Sequence, residues 1–120
     1  MINLNKFRAW DSYHKEWAFD GEVSNSELFD YSESNAVVVV EQFSGILDKY
    51  DNPLYSGDII RYTTSRGSYI MPISQLPGIF VATHANIVFH LHAMIKDNIE
   101  KVGNIHENFD LLIGVANDKL

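Results

Sequence analysis

The feature that most constrains the fold is a run of β-branched residues near the middle of the chain. Residues 36–43 have the sequence AVVVVEQF, which contains four consecutive valines. Side chains branched at Cβ have a restricted χ1 angle and therefore favour the extended backbone of a strand. Because the valines are consecutive rather than alternating with polar residues, they predict a strand that is buried on both faces.

Further strands are predicted before and after this run. Two short aromatic segments, 6–10 and 15–19, are separated by a polar loop at 11–14, which predicts a β-hairpin. Segments 59–64 and 68–71 flank a turn at 65–67 whose glycine can adopt a positive φ, which predicts a second hairpin. One more strand is expected at 79–83. Five strand residues are predicted to be largely buried: Trp10, Val38, Val40, Ile59 and Phe80.

Helical patterning is confined to the last third of the chain. Apolar residues recur at spacings of three and four between Leu91 and Val102, which predicts one amphipathic helix of about three turns ending at Gly103. A shorter helix is expected after Asn108, with Leu111, Leu112 and Val115 on its buried side. The predicted fold is therefore mainly β, with one or two short helices in the C-terminal third.

Length and composition limit the possible classes of protein. The chain has 120 residues, which suits a single domain over residues 1–120, because two halves would each be too small to bury a core. The absence of cysteine excludes disulfides and thiolate chemistry. A net charge of −7 argues against binding to double-stranded DNA or to an anionic membrane. The polar N-terminus and the lack of a long apolar run predict a cytoplasmic protein without a membrane span.

One acidic segment is a candidate for binding a partner. Between Glu16 and Asp48 there are eight acidic residues and no lysine or arginine. Four of these acids lie in the part richest in polar turn residues and are predicted to be exposed: Glu22, Glu27, Asp30 and Glu33. Exposed carboxylates steer a basic protein toward the surface that carries them. The alternative is that they only keep the protein soluble.

The first predicted strand is a second candidate. Lys6, Arg8 and Trp10 alternate along it and would share one face. A cation beside an indole can bind a nucleobase or a peptide, so Arg8 and Trp10 are candidate partner-binding residues. The alternative is an edge strand that charged residues protect from aggregation.

No catalytic or cofactor-binding pattern is found. Asp58 follows Gly57 without a nearby nucleophile, so we expect it to accept backbone hydrogen bonds at a turn rather than to act as a base. His90 and His92 would share a face on a strand, as metal ligands can, but the nearest carboxylate is Asp97. Hydrogen-bonded or exposed histidines are the simpler interpretation. We therefore expect no enzyme, no cofactor and no metal site.

Three segments resemble the YopX-like family of small proteins from phages and prophages of Gram-positive bacteria. They are KFRAWD at 6–11, the pair QFSGILDK and LYSGDII at 42–49 and 54–60, and VGNIHEN at 102–108. Their order and spacing are similar to those of the family. Phe43 and Ser44 depart from it, because tyrosine and threonine are usual there.

This resemblance implies a small SH3-like, barrel-type core and no catalytic residue. It also implies a strand near 100–106, so that the preceding helix would end near Asn98. The expected function is that of a phage or prophage accessory protein which binds a host or phage protein. The alternative is a module for single-stranded nucleic acid or nucleotides, using Arg8, Trp10 and the tyrosines Tyr55, Tyr62 and Tyr69.

Overall fold

The part of the chain that the structure describes forms two antiparallel sheets. The computed structural model describes residues 6–22 and 38–113. The four-stranded sheet has the order β2-β1-β3-β4, with β1 at Lys6–Asp11, β2 at Glu16–Glu22, β3 at Val38–Leu47 and β4 at Pro53–Tyr55. The five-stranded sheet has the order β8-β7-β6-β5-β9, with β5 at Asp58–Thr64, β6 at Gly67–Leu76, β7 at Ile79–His84, β8 at Ile87–His90 and β9 at Ile99–Asn104. One sheet curls into half a barrel, so the mainly β, barrel-type prediction is confirmed.

Both predicted hairpins form, because local turn chemistry determines them. In the β1–β2 loop, the Asp11 side chain accepts hydrogen bonds from the backbone N–H groups of Tyr13 and His14, both at 3.0 Å. In the β5–β6 hairpin, Thr64 pairs with Gly67 across a two-residue turn, and Gly67 has φ of +131°. The strand expected at 79–83 lies within β7.

The three-turn helix predicted from Leu91 onward does not form. Leu91–Ala93 and Lys96–Asn98 are separate 3-10 turns, and β9 begins at Ile99. The backbone is extended between the turns, where the Ile95 N–H donates to the Tyr62 hydroxyl at 3.2 Å. Leu91 and Ile99 are both fully buried, so the apolar spacing reflects tertiary burial rather than one helical face.

The remaining C-terminal predictions agree better with the structure. The strand implied by the family resemblance is present as β9, and a short helix occupies residues 110–113. Val115, expected on the buried side of this helix, lies outside the described residues. None of the helical turns in the described part of the chain has the length and hydrophobicity needed to cross a bilayer.

The main core lies against the five-stranded sheet. Its buried members are Leu54, Ile60, Tyr62, Met71, Ile73, Phe80, Ala82, Leu91 and Ile99. Trp10, Ile59 and Phe80 are buried as predicted, whereas Val38 and Val40 are only half-buried. Val39 is 41% exposed, so the prediction of a strand buried on both faces is wrong at this position. An antiparallel sheet can pack one face on a core and leave the other accessible.

Candidate functional site

A cluster of buried charges connects the two sheets. Arg8 is 3% exposed, and its Nε donates to Glu41 Oε1 at 2.9 Å. Its Nη1 lies 2.8 Å from Asp58 Oδ1, an ion pair without hydrogen-bond alignment. Glu41 and Asp58 are also buried. Because buried charges are costly unless they are paired, this cluster constrains β1, β3 and β5 to one arrangement.

The turn between β4 and β5 brings Asp58 into the cluster. Asp58 Oδ2 accepts a hydrogen bond from the Tyr55 backbone N–H at 2.7 Å and lies 3.2 Å from Lys101 Nζ. The predicted role of Asp58 as an acceptor of backbone hydrogen bonds is therefore confirmed. Burial raises the pKa of Asp58 above its usual value, and the opposing effects of Arg8 and Lys101 do not fully offset it.

Gly57 allows this turn to approach Glu41 closely. Its φ is +90°, in the left-handed region that favours glycine. A Cβ atom at this position would lie only 2.0 Å from Glu41 Oε2. Glycine is therefore required at position 57 for two reasons, the left-handed backbone and the close approach to the Glu41 carboxylate.

Aromatic rings enclose the Arg8 guanidinium. Its Cζ lies 4.5 Å from the ring centroid of Trp17 and 4.7 Å from that of Tyr55, which are cation–π distances. Trp10 stacks on His106, with centroids 5.0 Å apart and an interplanar angle of 11°, and meets Trp17 edge to face.

Arg8 and Trp10 therefore do not form the predicted exposed binding face. Trp10 is only 4% exposed, and Arg8, Ala9 and Trp10 are buried in succession. A register shift between Ala9 and Trp10 breaks the expected alternation. The edge-strand alternative is also wrong, because β1 lies between β2 and β3.

The charged cluster reaches the surface at a groove of about 610 Å³. His106 Nε2 lies 3.0 Å from Glu41 Oε2, and these two side chains are the only ionisable groups among the described residues that line the groove. Most of the walls are apolar and come from β3, β6 and the C-terminal segment: Val39, Val40, Pro72, Ile73, Ile105, Phe109 and Leu112. Phe109 is 55% exposed. The groove thus offers apolar contact around one hydrogen-bonded acid–imidazole pair.

The two histidines considered as metal ligands, His90 and His92, do not line the groove. His90 ends β8 and His92 lies in the following 3-10 turn, so they do not share a strand face. Both are exposed. Within residues 6–22 and 38–113, no three histidine, aspartate or glutamate side chains are placed to hold a metal ion.

The acidic candidates fall mostly outside the described residues. Glu22 lies in β2, where its backbone pairs with Lys6 of β1. Glu27, Asp30 and Glu33 lie outside residues 6–22 and 38–113. The binding role of this segment stays a prediction.

Sequence reasoning missed the roles of Glu41 and His106. Glu41 directly follows the valine run in a segment predicted to be buried, and a charged residue there needs a buried partner. That observation points to a salt bridge. It does not identify Arg8 or His106 as the partner, because they lie 33 and 65 residues away.

Arg8, Asp58 and His106 lie in three of the segments that resemble the family, and Glu41 directly precedes another. The family model described as YopX protein matches residues 6–113. The crystal structure of protein EF1440 from Enterococcus faecalis is similar, with 25% identity over 89% of this chain and 96% of that chain, and a TM-score of 0.61. A comparison with curated proteins finds no match. The chain belongs to the YopX protein family.

Proposed function

We propose that this chain is a non-enzymatic accessory protein of a phage or prophage, which binds another protein in the bacterial cytoplasm. The observation that carries the proposal is the groove beside Glu41 and His106. Its rim includes two large exposed apolar side chains, Val39 and Phe109. Apolar side chains gathered around a concave surface are typical of interaction sites.

The internal pairing of the charged cluster supports binding rather than catalysis. Asp58 is fully buried, and Glu41 is engaged by both Arg8 and His106. A general acid or base must reach the proton that it transfers to or from a substrate. The hydrogen bond between Glu41 and His106 instead holds the imidazole in a fixed position at the groove.

The size of the groove favours a short segment of a partner. A volume of about 610 Å³ lies in the range of pockets that take a small molecule or a few side chains. Apolar side chains would contact Val40, Ile73 and Leu112, while a polar group near His106 would fix the register. The nucleic-acid alternative has less support, since Arg8, Trp10, Tyr55 and Tyr62 are all buried.

The experiment compares affinity capture from a Gram-positive host lysate by three forms of the protein. The groove variant carries Val39→Ser and Phe109→Ser. The control carries Tyr50→Ser and Ile95→Ser, which remove two exposed hydrophobic side chains outside the groove. We expect wild type and control to retain the same protein in quantitative mass spectrometry, and the groove variant to lose it. Retention by all three forms, with unchanged circular dichroism, would contradict the proposal.

A further inference from the structure

The five-stranded sheet ends in a strand without the usual edge protection. β8 pairs with β7 from Ile87↔His84 to His90↔Val81, and no strand of the described residues pairs with its outer side. Natural edge strands commonly carry charged residues, proline or a bulge that prevents further pairing. The β8 sequence IVFH has no proline and no lysine, arginine or acid. Ile87 and Val88 are 44% and 56% exposed, so this edge strand presents two apolar side chains among the described residues.

A second cavity lies beside this edge. It has a volume of about 360 Å³ and is lined by Thr64, Ser65, Arg66, Tyr69, Ile87 and Phe89. Ile87 and Phe89 are two residues apart and lie on one face of β8. The cavity therefore has room for an apolar side chain from a strand that pairs with β8.

The part of the chain that contains β8 and the cavity has a net positive charge, opposite to that of the rest of the chain. Residues 59–96 include three lysines and arginines and no acid, while the remaining residues contain six lysines and arginines and all sixteen acids. Arg61 pairs with Glu100 at 3.0 Å, and Lys96 pairs with Asp51 at 2.6 Å. Within residues 6–22 and 38–113, the Arg66 side chain has no such partner. The lining of the cavity thus includes a guanidinium that no acid of the described ranges pairs with.

We propose that the outer edge of β8 binds an extended acidic segment of a partner protein by strand addition, at a surface separate from the groove. Backbone hydrogen bonds to β8 would supply much of the affinity. One apolar side chain of the segment would enter the cavity beside Tyr69 and Phe89, and a carboxylate two residues away, on the same face of the segment, would pair with Arg66.

A peptide fits these features better than single-stranded nucleic acid does. Base stacking needs aromatic rings with an accessible face. Tyr69 and Phe89 are half-buried, and their rings pack against each other at 5.9 Å and 49°. In contrast, the backbone of β8 offers the donors and acceptors that an extended peptide matches.

The test uses fluorescence polarisation with the full chain and a fluorescein-labelled probe peptide of alternating glutamate and valine, in which phenylalanine replaces the central glutamate so that it shares a face with the other glutamates. We expect saturable binding that weakens about tenfold in Arg66→Gln, because a charge-assisted hydrogen bond is lost. The matched control, Arg61→Gln, removes the same charge from the same hairpin at a residue already paired with Glu100, and should change affinity less than about twofold. Methylation of every backbone nitrogen of the probe should abolish binding, since strand addition needs the donors of whichever edge of the probe faces β8.

Any one of three results with the peptide would overturn the proposal. They are the absence of saturable binding to wild type, an equal loss in the two arginine variants, and full binding of the N-methylated probe. Tighter binding of an oligothymidine than of the peptide would also overturn it, and would assign the site to single-stranded nucleic acid. None of these measurements depends on the groove. A negative result here would therefore overturn strand addition at β8 without deciding whether the groove binds a protein.

Discussion

Arg8 is the residue on which the contact between the two sheets depends most directly. Arg8→Met would leave Glu41 and Asp58 buried without the guanidinium that pairs with both. We expect the free energy of unfolding to fall by about 3–5 kcal/mol, which is typical when one member of a buried ion pair is removed. Urea denaturation followed by tryptophan fluorescence measures this change.

The control for Arg8 is the same substitution at Arg61. The side chain of Arg61 is 46% exposed and pairs with the partly exposed Glu100, so its removal should cost less than about 1 kcal/mol. Equal losses in the two variants would show that the buried cluster contributes no more than a surface pair.

Gly57 allows a test of the close approach between the β4–β5 turn and Glu41. Gly57→Ala combines a left-handed backbone with an overlap against Glu41, whereas Gly78→Ala has a similar φ of +80° and open space around its Cβ. We expect the left-handed backbone to lower the free energy of unfolding by about 1–2 kcal/mol in both variants, and the overlap with Glu41 to lower it further only in Gly57→Ala. Thermal unfolding of both proteins makes the comparison. A similar loss of stability in the two would mean that Glu41 moves aside freely.

At the scale of elements, Asp48 organises the turn between β3 and β4 and connects it to β9. Its carboxylate accepts hydrogen bonds from the backbone N–H groups of Tyr50, Asn52 and Lys101 at 2.8–2.9 Å. Burial alone would raise the pKa of Asp48, but these hydrogen bonds outweigh it and hold the pKa below its usual range. The ionised form is therefore the one that the fold stabilises.

This lowered pKa predicts a pH dependence with a definite sign. The unfolded chain takes up a proton at Asp48 near its ordinary pKa of about 3.9, and the folded chain does so only at lower pH. The stabilisation by Asp48 is complete above that ordinary pKa and is lost as pH falls through the folded pKa. Asp48→Asn should lower stability at neutral pH and flatten its decline in acid, measured by urea denaturation across pH. If the stability of wild type and of Asp48→Asn changed with pH in parallel, the lowered pKa of Asp48 would be contradicted.

The elements that could be predicted well are those determined by residues close together in the sequence. The β1–β2 and β5–β6 hairpins depend on turns of a few residues. Asp11 accepts hydrogen bonds in the first turn and Gly67 adopts a positive φ in the second, and both residue types can be recognised in the sequence. The helix from Leu91 was wrong because the same spacing arises when two distant residues enter one core. The exposure of Val39 depends on which sheet face meets the core, and no local pattern determines that.

At the scale of the whole molecule, the site was the hardest part to predict. The sequence identified Arg8, Trp10 and Asp58 as unusual residues, but it indicated an exposed binding face for the first two. Their partners, Glu41 and His106, lie far away along the chain and are brought together only by the packing of two sheets. The groove is created by that packing, so its existence has no counterpart in any single segment.

The acidic segment carries a prediction about association rates. Replacing Glu22, Glu27, Asp30 and Glu33 by glutamine or asparagine should slow binding to the captured partner and weaken its salt dependence, because exposed carboxylates steer a basic protein. Folding should persist, since surface substitutions change stability by about 0.5 kcal/mol or less. Stopped-flow association at several salt concentrations measures both effects. An unchanged rate and salt dependence would mean that these acids only maintain solubility.

Site-specific photo-crosslinking in bacterial cells tests most directly whether the groove binds another protein. A photoreactive phenylalanine analogue replaces Phe109 at the groove or, as the matched control, Tyr50 outside it. These side chains are 55% and 64% exposed, so both probes would be accessible to a partner. We expect one discrete adduct from the position of Phe109, lost when His106→Ala is added, and no discrete adduct from the position of Tyr50. The same adduct from both positions, or an adduct from Tyr50 alone, would contradict a binding role for the groove.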